Sequence, residues 1–187
     1  MKNQLKKDIL EKRNSLTKQE ILEKSELIKN NLFRNKFYRE SKSVMFFVSF
    51  NSEVYTHEMI KEALKSKRVI VPKVVEHEIE PSLIIDFDSM VSSGRFGILE
   101  PIEAMKVAYD NIDLVVVPGS VFDLNGHRIG FGLGFYDRFL HKVSRSVKIG
   151  LAFDFQIVDK IPHEEHDVPV DFIVTDKRII ECKKNNQ

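Results

Sequence analysis

The chain has 187 residues, 42% hydrophobic and 30% charged, which suits one well-buried domain with the composition of a water-soluble globule. Its net charge of +1 gives no global field for nucleic acid or anionic membrane, and no apolar run nears the roughly 20 residues of a membrane helix. The single cysteine, Cys182, excludes internal disulfides, and the start Met1-Lys2-Asn3-Gln4 lacks the apolar stretch of a secretory leader, so a cytoplasmic location is expected.

Leu5, Ile9 and Leu16, then Ile21, Leu27, Ile28 and Leu32, recur near helical spacing among charges and predict helices over the first forty residues. Asn14-Ser15-Leu16-Thr17 reads as a break, and Thr17-Lys18-Gln19-Glu20 as a capping box opening a second helix. Lys2, Lys6 and Arg13 lie four and seven residues apart, which places them on one stripe of the first helix. Without a ligand, such a stripe is a solvated basic face.

Val44 to Ser49 is an apolar run of strand length. Thr56 is the expected cap of a short helix carrying Met59, Ile60, Ala63 and Leu64. Arg68 to Pro72 predicts a buried strand halted by its proline. Ile79 and the run Leu83 to Phe87 suggest strands, and Gly94-Arg95-Phe96-Gly97 a turn. Leu114 to Val117, Val147 to Ala152 and Asp171 to Val174 complete a set of short strands expected to be buried on both faces. Alternating with helices, they predict a single α/β domain over residues 1–187, with a mostly parallel sheet covered on both sides. The polar tail, Lys183 to Gln187, is expected to fray.

The most informative stretch follows the strand Leu114 to Val117. Arg128-Ile129-Gly130-Phe131-Gly132-Leu133-Gly134-Phe135-Tyr136-Asp137 leads a glycine-rich loop into a helix. Neither G-x-x-x-x-G-K-[ST] nor G-x-G-x-x-G is present. Alternating glycines instead clear one side of an extended segment, so that a phosphate chain or a flat ligand can approach the backbone. The plainer alternative is a strand packed tightly on a helix. Asp137 has two readings as well, a ligand for the metal that accompanies a nucleotide or a carboxylate offsetting the helix dipole. His163-Glu164-Glu165-His166-Asp167 has its histidines three apart between Pro162 and Pro169, which argues for a loop and against a zinc-protease helix.

These residues carry a resemblance. The run Pro118-Gly119, Phe122-Asp123, Gly126-x-Arg128-x-Gly130-x-Gly132-x-Gly134-x-Tyr136-Asp137 resembles the signature of the 5-formyltetrahydrofolate cyclo-ligases, also called methenyltetrahydrofolate synthetases. The basic first helix, Phe47-Val48-Ser49 with Glu53-Val54 and Thr56, Phe96-Gly97-Ile98 with Glu100-Pro101, Ala152-Phe153 with Gln156, and His166-Asp167-Val168-Pro169-Val170-Asp171 fall in the same family's order. The likeness covers nearly the whole chain.

The resemblance implies a three-layer αβα fold and MgATP-driven cyclisation of 5-formyltetrahydrofolate to 5,10-methenyltetrahydrofolate. It implies ATP binding by Lys2, Lys6 and the run Arg128, Ile129, Gly130, Phe131, Gly132, Leu133, Gly134, Phe135 and Tyr136, with Arg128 and Tyr136 catalytic. Val48, Glu53, Lys6, Phe131 and Phe135 become the folate contacts, Phe50 and Tyr136 candidate aromatic walls, and Asp137 and Asp167 the Mg²⁺ ligands. Partners are then the two small substrates, with no nucleic acid or membrane, in a monomer or weak homodimer. This chain has lysine where the family usually has arginine at position 6, and no basic residue at Phe131 or Leu133. Those departures leave a folate- or nucleotide-binding relative without turnover as the alternative. A sugar-phosphate isomerase or acyl-CoA transferase of similar architecture has no independent sign in the sequence.

Overall fold

A computed structural model describes residues 1–92 and 95–183. Gly94 of the expected turn and residues 184–187 of the expected tail lie outside them. In chain order the elements are α1 (Lys2–Asn14), α2 (Lys18–Arg34), α3 (Lys36–Glu40), β1 (Ser43–Met45), α4 (His57–Ala63), β2 (Arg68–Val75), β3 (Glu78–Ile84), β4 (Met90–Val91) and β5 (Glu100–Pro101). They continue as β6 (Leu114–Val117), β7 (Val121–Asp123), β8 (Arg128–Ile129), α5 (Phe135–Lys142), β9 (Val147–Leu151), β10 (Ile157–Val158), β11 (Phe172–Val174) and β12 (Ile179–Glu181).

Seven strands form the main sheet in the order β12-β11-β9-β6-β1-β2-β3. The five central strands are mutually parallel, and β12 and β3 close the two edges antiparallel. Side chains on a strand alternate between faces, and the core divides accordingly. Val44, Val69, Val71, Leu114 and Val116 pack with Ile28 and Leu32 of α2 and Met59 and Ile60 of α4. Met45, Ile70, Val115 and Val117 pack with Phe139 and Leu140 of α5. The expected three-layer α/β arrangement with a mostly parallel sheet is therefore present. A second small sheet, β10-β7-β8, rises beside it, and Leu5 and Ile9 of α1 rest on its Val121 and Ile129 and on Ile161.

The capping box forms as read: Thr17 Oγ1 accepts from Glu20 N–H at 3.1 Å, and the Glu20 carboxylate accepts from Thr17 N–H at 2.7 Å. Three other readings need correction. The first strand stops at Met45 rather than Ser49, because Thr56 draws the chain into a closed loop. Its hydroxyl donates to the Phe47 carbonyl at 2.7 Å and accepts from Ser49 N–H at 3.0 Å. Thr56 consequently makes no side-chain cap on α4, although it precedes that helix.

The second correction concerns β2, which passes through Pro72 and runs to Val75. Pro72 lies opposite Pro81, and β1 has already ended at the Met45–Ile70 pair. The Pro81 carbonyl accepts from Val107 N–H at 3.0 Å, so its backbone faces away from β2. A pair that exchanges no ladder bonds loses nothing to two prolines. Third, the two strands expected around Ile79 and Leu83 are one strand, β3, which ends before a 3₁₀ turn at Phe87–Ser89.

Candidate active site

The chain leaves β1 toward β2 on one side of the sheet and leaves β6 toward β9 on the other. Between β1 and β6 the direction of winding reverses, and α4 and α5 lie over opposite faces. Open parallel sheets leave a crevice at such a point, beyond the carboxyl ends of the strands. The loop after β1 carries Val48, Phe50 and Glu53, while the segment after β6 carries the β7–β8 hairpin and the glycine loop. Val48, Phe50, Glu53 and the glycine loop thus follow the two strands that flank this reversal.

In the glycine loop on the β6 side, two glycines leave room for arginine head groups, and two adopt a positive φ that favours glycine. A Cβ at Gly130 would lie 2.9 Å from Arg128 Nη1, and one at Gly134 2.7 Å from Arg138 Nη1. Gly132 has φ +98° and faces open space, and Gly134, at φ +70°, is the cap of α5. Two guanidinium groups therefore lie along a bare stretch of backbone at the start of a helix, an arrangement suited to phosphate. Arg138 also donates to the Leu133 carbonyl at 3.1 Å and the His77 carbonyl at 2.7 Å, tying the loop to the β2–β3 turn. Beneath, Gln156 donates to the Gly119 and Ser120 carbonyls at 3.1 and 3.0 Å, which gives that residue a supporting role.

The Arg128 side chain is buried and donates from Nη2 to Asp137 Oδ1 at 2.9 Å. Burial presses its pKa down, and the charges of Asp137, Tyr136 and Asp167 oppose that. Asp137 stands in the first turn of α5, as either reading of it expects, and its ion-pair partner is Arg128. Asp167 lies in the expected loop, where its Oδ2 accepts from Glu164 N–H at 3.0 Å. His163 leaves that loop to stack on His127 with ring centroids 3.6 Å apart.

Tyr136 points its hydroxyl inward, where it is buried and has no hydrogen-bond partner among the described residues; Arg128 Nε is in the same condition. Burial first, and then the charge of Glu53, hold that hydroxyl firmly protonated. Buried polar atoms without partners are rare in folded proteins, and Ser120 Oγ and His127 Nδ1 share the condition among the described residues.

On the β1 side, Glu53 is 6% exposed and accepts from Phe50 N–H at 3.0 Å. Burial pushes its carboxyl up to about 7, against the lowering effects of that hydrogen bond and of Arg13. Val48 turns its side chain into the core, and Phe135, the first residue of α5, packs against the core on the other face. Phe131 and Leu133 remain about half exposed at 46% and 48%. Phe50 lies 5.8 Å from the Phe131 ring and 6.3 Å from that of Phe96, making an aromatic wall from three separate loops. Lys2 and Lys6 are half-buried on the inner side of α1, and Lys2 is near enough to act on the buried His127. Burial lowers the pKa of Lys6. The basic stripe therefore faces the protein, with Arg13 buried at its end. Phe96, Arg138 and the buried Arg13, bonded to Ser52 beside Glu53, are residues around the site that sequence reading did not assign.

The pattern of the 5-formyltetrahydrofolate cyclo-ligase family matches residues 1–176. This chain belongs to that family. Among individual cyclo-ligases, one from Caenorhabditis elegans, named as probable, is 31% identical over 175 residues, covering 85% of this chain and 84% of its own. The 5,10-methenyltetrahydrofolate synthetase of Aquifex aeolicus superposes with a TM-score of 0.89 at 35% identity, covering 100% of this chain and 95% of that one. The Mycoplasma pneumoniae synthetase does so with a TM-score of 0.75 at 29% identity, over 94% and 98% of the two chains. The cyclo-ligase likeness thus extends from the glycine signature to the path of the whole backbone.

Proposed function

We propose that this chain converts 5-formyltetrahydrofolate to 5,10-methenyltetrahydrofolate at the expense of ATP. The observation that carries this reading is the unpartnered pair Arg128 Nε and Tyr136 hydroxyl, buried at the two ends of the glycine loop that also brings Phe131 to Phe50. The chemistry needs both halves. A formyl oxygen on nitrogen leaves poorly until it is phosphorylated, after which N10 attacks the formyl carbon and phosphate departs with the former formyl oxygen. Such transfers depend on positioning and on neutralising charge.

Lys2, Lys6 and the backbone from Ile129 to Gly134 hold the phosphate chain in this reading, and Arg128 neutralises the group in transit. The Tyr136 hydroxyl donates to an oxygen of the activated formyl group. Phe50, Phe96 and Phe131 stack on the pterin, and Glu53 accepts hydrogen bonds from its nitrogens. Stacking of this kind contributes roughly 0.5–1.5 kcal/mol per aromatic pair beyond area burial. Phe135 and Val48 support that wall from the core side.

Asp137 and Asp167 are suited to Mg²⁺. Both are hard oxygen donors whose charges act on Arg128, and each uses one oxygen in the protein bond described above. Magnesium takes one or two carboxylates together with phosphate oxygens and waters, so the absence of a three-residue donor cluster among the described residues does not conflict with it. When bound, it would offset negative charge on the nucleotide phosphates. The chain contains no helix long and apolar enough to cross a membrane among its described residues.

Purified protein mixed with 5-formyltetrahydrofolate and MgATP tests the reading through the near-ultraviolet band of the methenyl product, followed alongside ADP release. Matched growth of both, absent without either substrate, is the expected result. Folate binding with neither product would make the chain a binding relative instead.

A further inference from the structure

Arg13 has 4% of its surface exposed, in a helix whose other charged side chains are exposed or half-buried. Its Nε donates to Ser52 Oγ at 3.1 Å, and Ser52 Oγ donates onward to Asn14 Oδ1. The residue after Ser52 is Glu53, whose charge acts on Arg13. The last turn of α1 is thereby hydrogen-bonded to Ser52 in the loop after β1, one residue before Glu53. Docking of α1 does not itself call for a buried guanidinium, because Leu5 and Ile9 already seat the helix on Val121, Ile129 and Ile161. A charge taken out of water is retained where another charge needs it.

We propose that Arg13 is a positioning residue, fixing the Glu53 carboxylate in the folate wall of the crevice from the last turn of α1. The inference rests on the reading of Glu53 as a folate contact. Glu53 is faced by Arg13 from α1, the Phe50 N–H from its own loop and Tyr136 from α5, with Arg128 also acting on Tyr136. Of these, Arg13 is the cation, and its charge offsets part of the cost that burial puts on the ionised carboxyl. One helix would then serve both substrates, with Lys2 and Lys6 toward the phosphates at its start and Arg13 toward the folate at its end.

The test compares Arg13→Gln and Arg13→Lys in the full chain. Arg13→Gln should raise the KM for 5-formyltetrahydrofolate by about tenfold, the size expected for a lost charge-assisted contact, and leave the KM for MgATP within about twofold. The acid limb of its kcat/KM profile should move up by about 0.5–1 pH, as expected when a carboxylate loses a nearby cation, and Arg13→Lys should bring it back. The ¹³C titration of the Glu53 carboxyl reads the same effect without turnover. Equal rises in both KM values, with an unmoved Glu53 titration, would reduce Arg13 to a helix anchor and overturn the proposal. If the wild-type protein shows no turnover while the Glu53 midpoint still climbs in Arg13→Gln and returns in Arg13→Lys, positioning stands and the folate reading falls.

Discussion

Replacing Glu53 with glutamine should make the protein more stable and less active. Burial raises the Glu53 carboxyl from an ordinary 4.5 to about 7, so the folded state holds this proton more tightly than the unfolded chain does. Stability from this group is therefore greatest at low pH. It falls as pH climbs from the unfolded value toward about 7, and then levels off. At 1.36 kcal/mol per pH, ionising the buried carboxyl costs about 3 kcal/mol at pH 8 and under about 1 kcal/mol at pH 5. That cost already includes the attraction of Arg13, since the shift was lowered by it. Glutamine mimics the neutral acid and keeps an oxygen for the Phe50 N–H. Glu53→Gln should then melt about 6–12 °C above wild type at pH 8, and the gap should shrink as the buffer is brought to pH 5. Thermal unfolding of both proteins across that range is the assay, with the KM for folate measured in parallel. A variant no more stable than wild type at pH 8, or a gain that does not vary with pH, would refute the reasoning.

Removing the Arg128 side chain should lower turnover by about tenfold or more, the value of one charge-assisted contact, with the fold intact because its partner Asp137 is 41% exposed at the side chain. Unchanged turnover in Arg128→Ala would remove the residue from the site. Asp137→Asn should shift the magnesium titration of ATP cleavage to higher concentration, and an unmoved titration would return Asp137 to the helix-dipole role alone. Gly150→Ala places a methyl 2.6 Å from the Phe122 ring, so it should destabilise by about 1–3 kcal/mol and lower the melting temperature without changing either KM.

Much of the fold was legible because parallel strands buried on both faces leave continuous apolar runs, as Leu114–Val117 does. The capping box and glycine loop were legible for a similar reason, since each is a local pattern with a local cause. Pro72 was misread because its tolerance depends on Pro81 across the sheet and on where β1 stops, neither of which a single strand shows. The same distance hid the aromatic wall: Phe50, Phe96 and Phe131 come from three loops and meet only when the sheet is wound. Arg13 looked like one more solvated charge, and only the path of the loop after β1 reveals Ser52 and Glu53 beside it. Thr56 stood at the right place for a cap, but a competing loop took its hydroxyl.

Phe122 is held between two glycines on separate segments. A Cβ at Gly119 would come within 2.8 Å of its ring and one at Gly150 within 2.6 Å. Gly119 precedes the small sheet and Gly150 lies within the large one, so this ring sets the spacing at which the two are joined. The three positions should accordingly change together or not at all. A side chain gained at 150 would be tolerated by a lineage in which residue 122 had first become smaller, and each step taken alone would pass through a weaker protein. Leucine at 122 should for that reason soften the penalty of alanine at 150, a dependence between substitutions that neither shows singly.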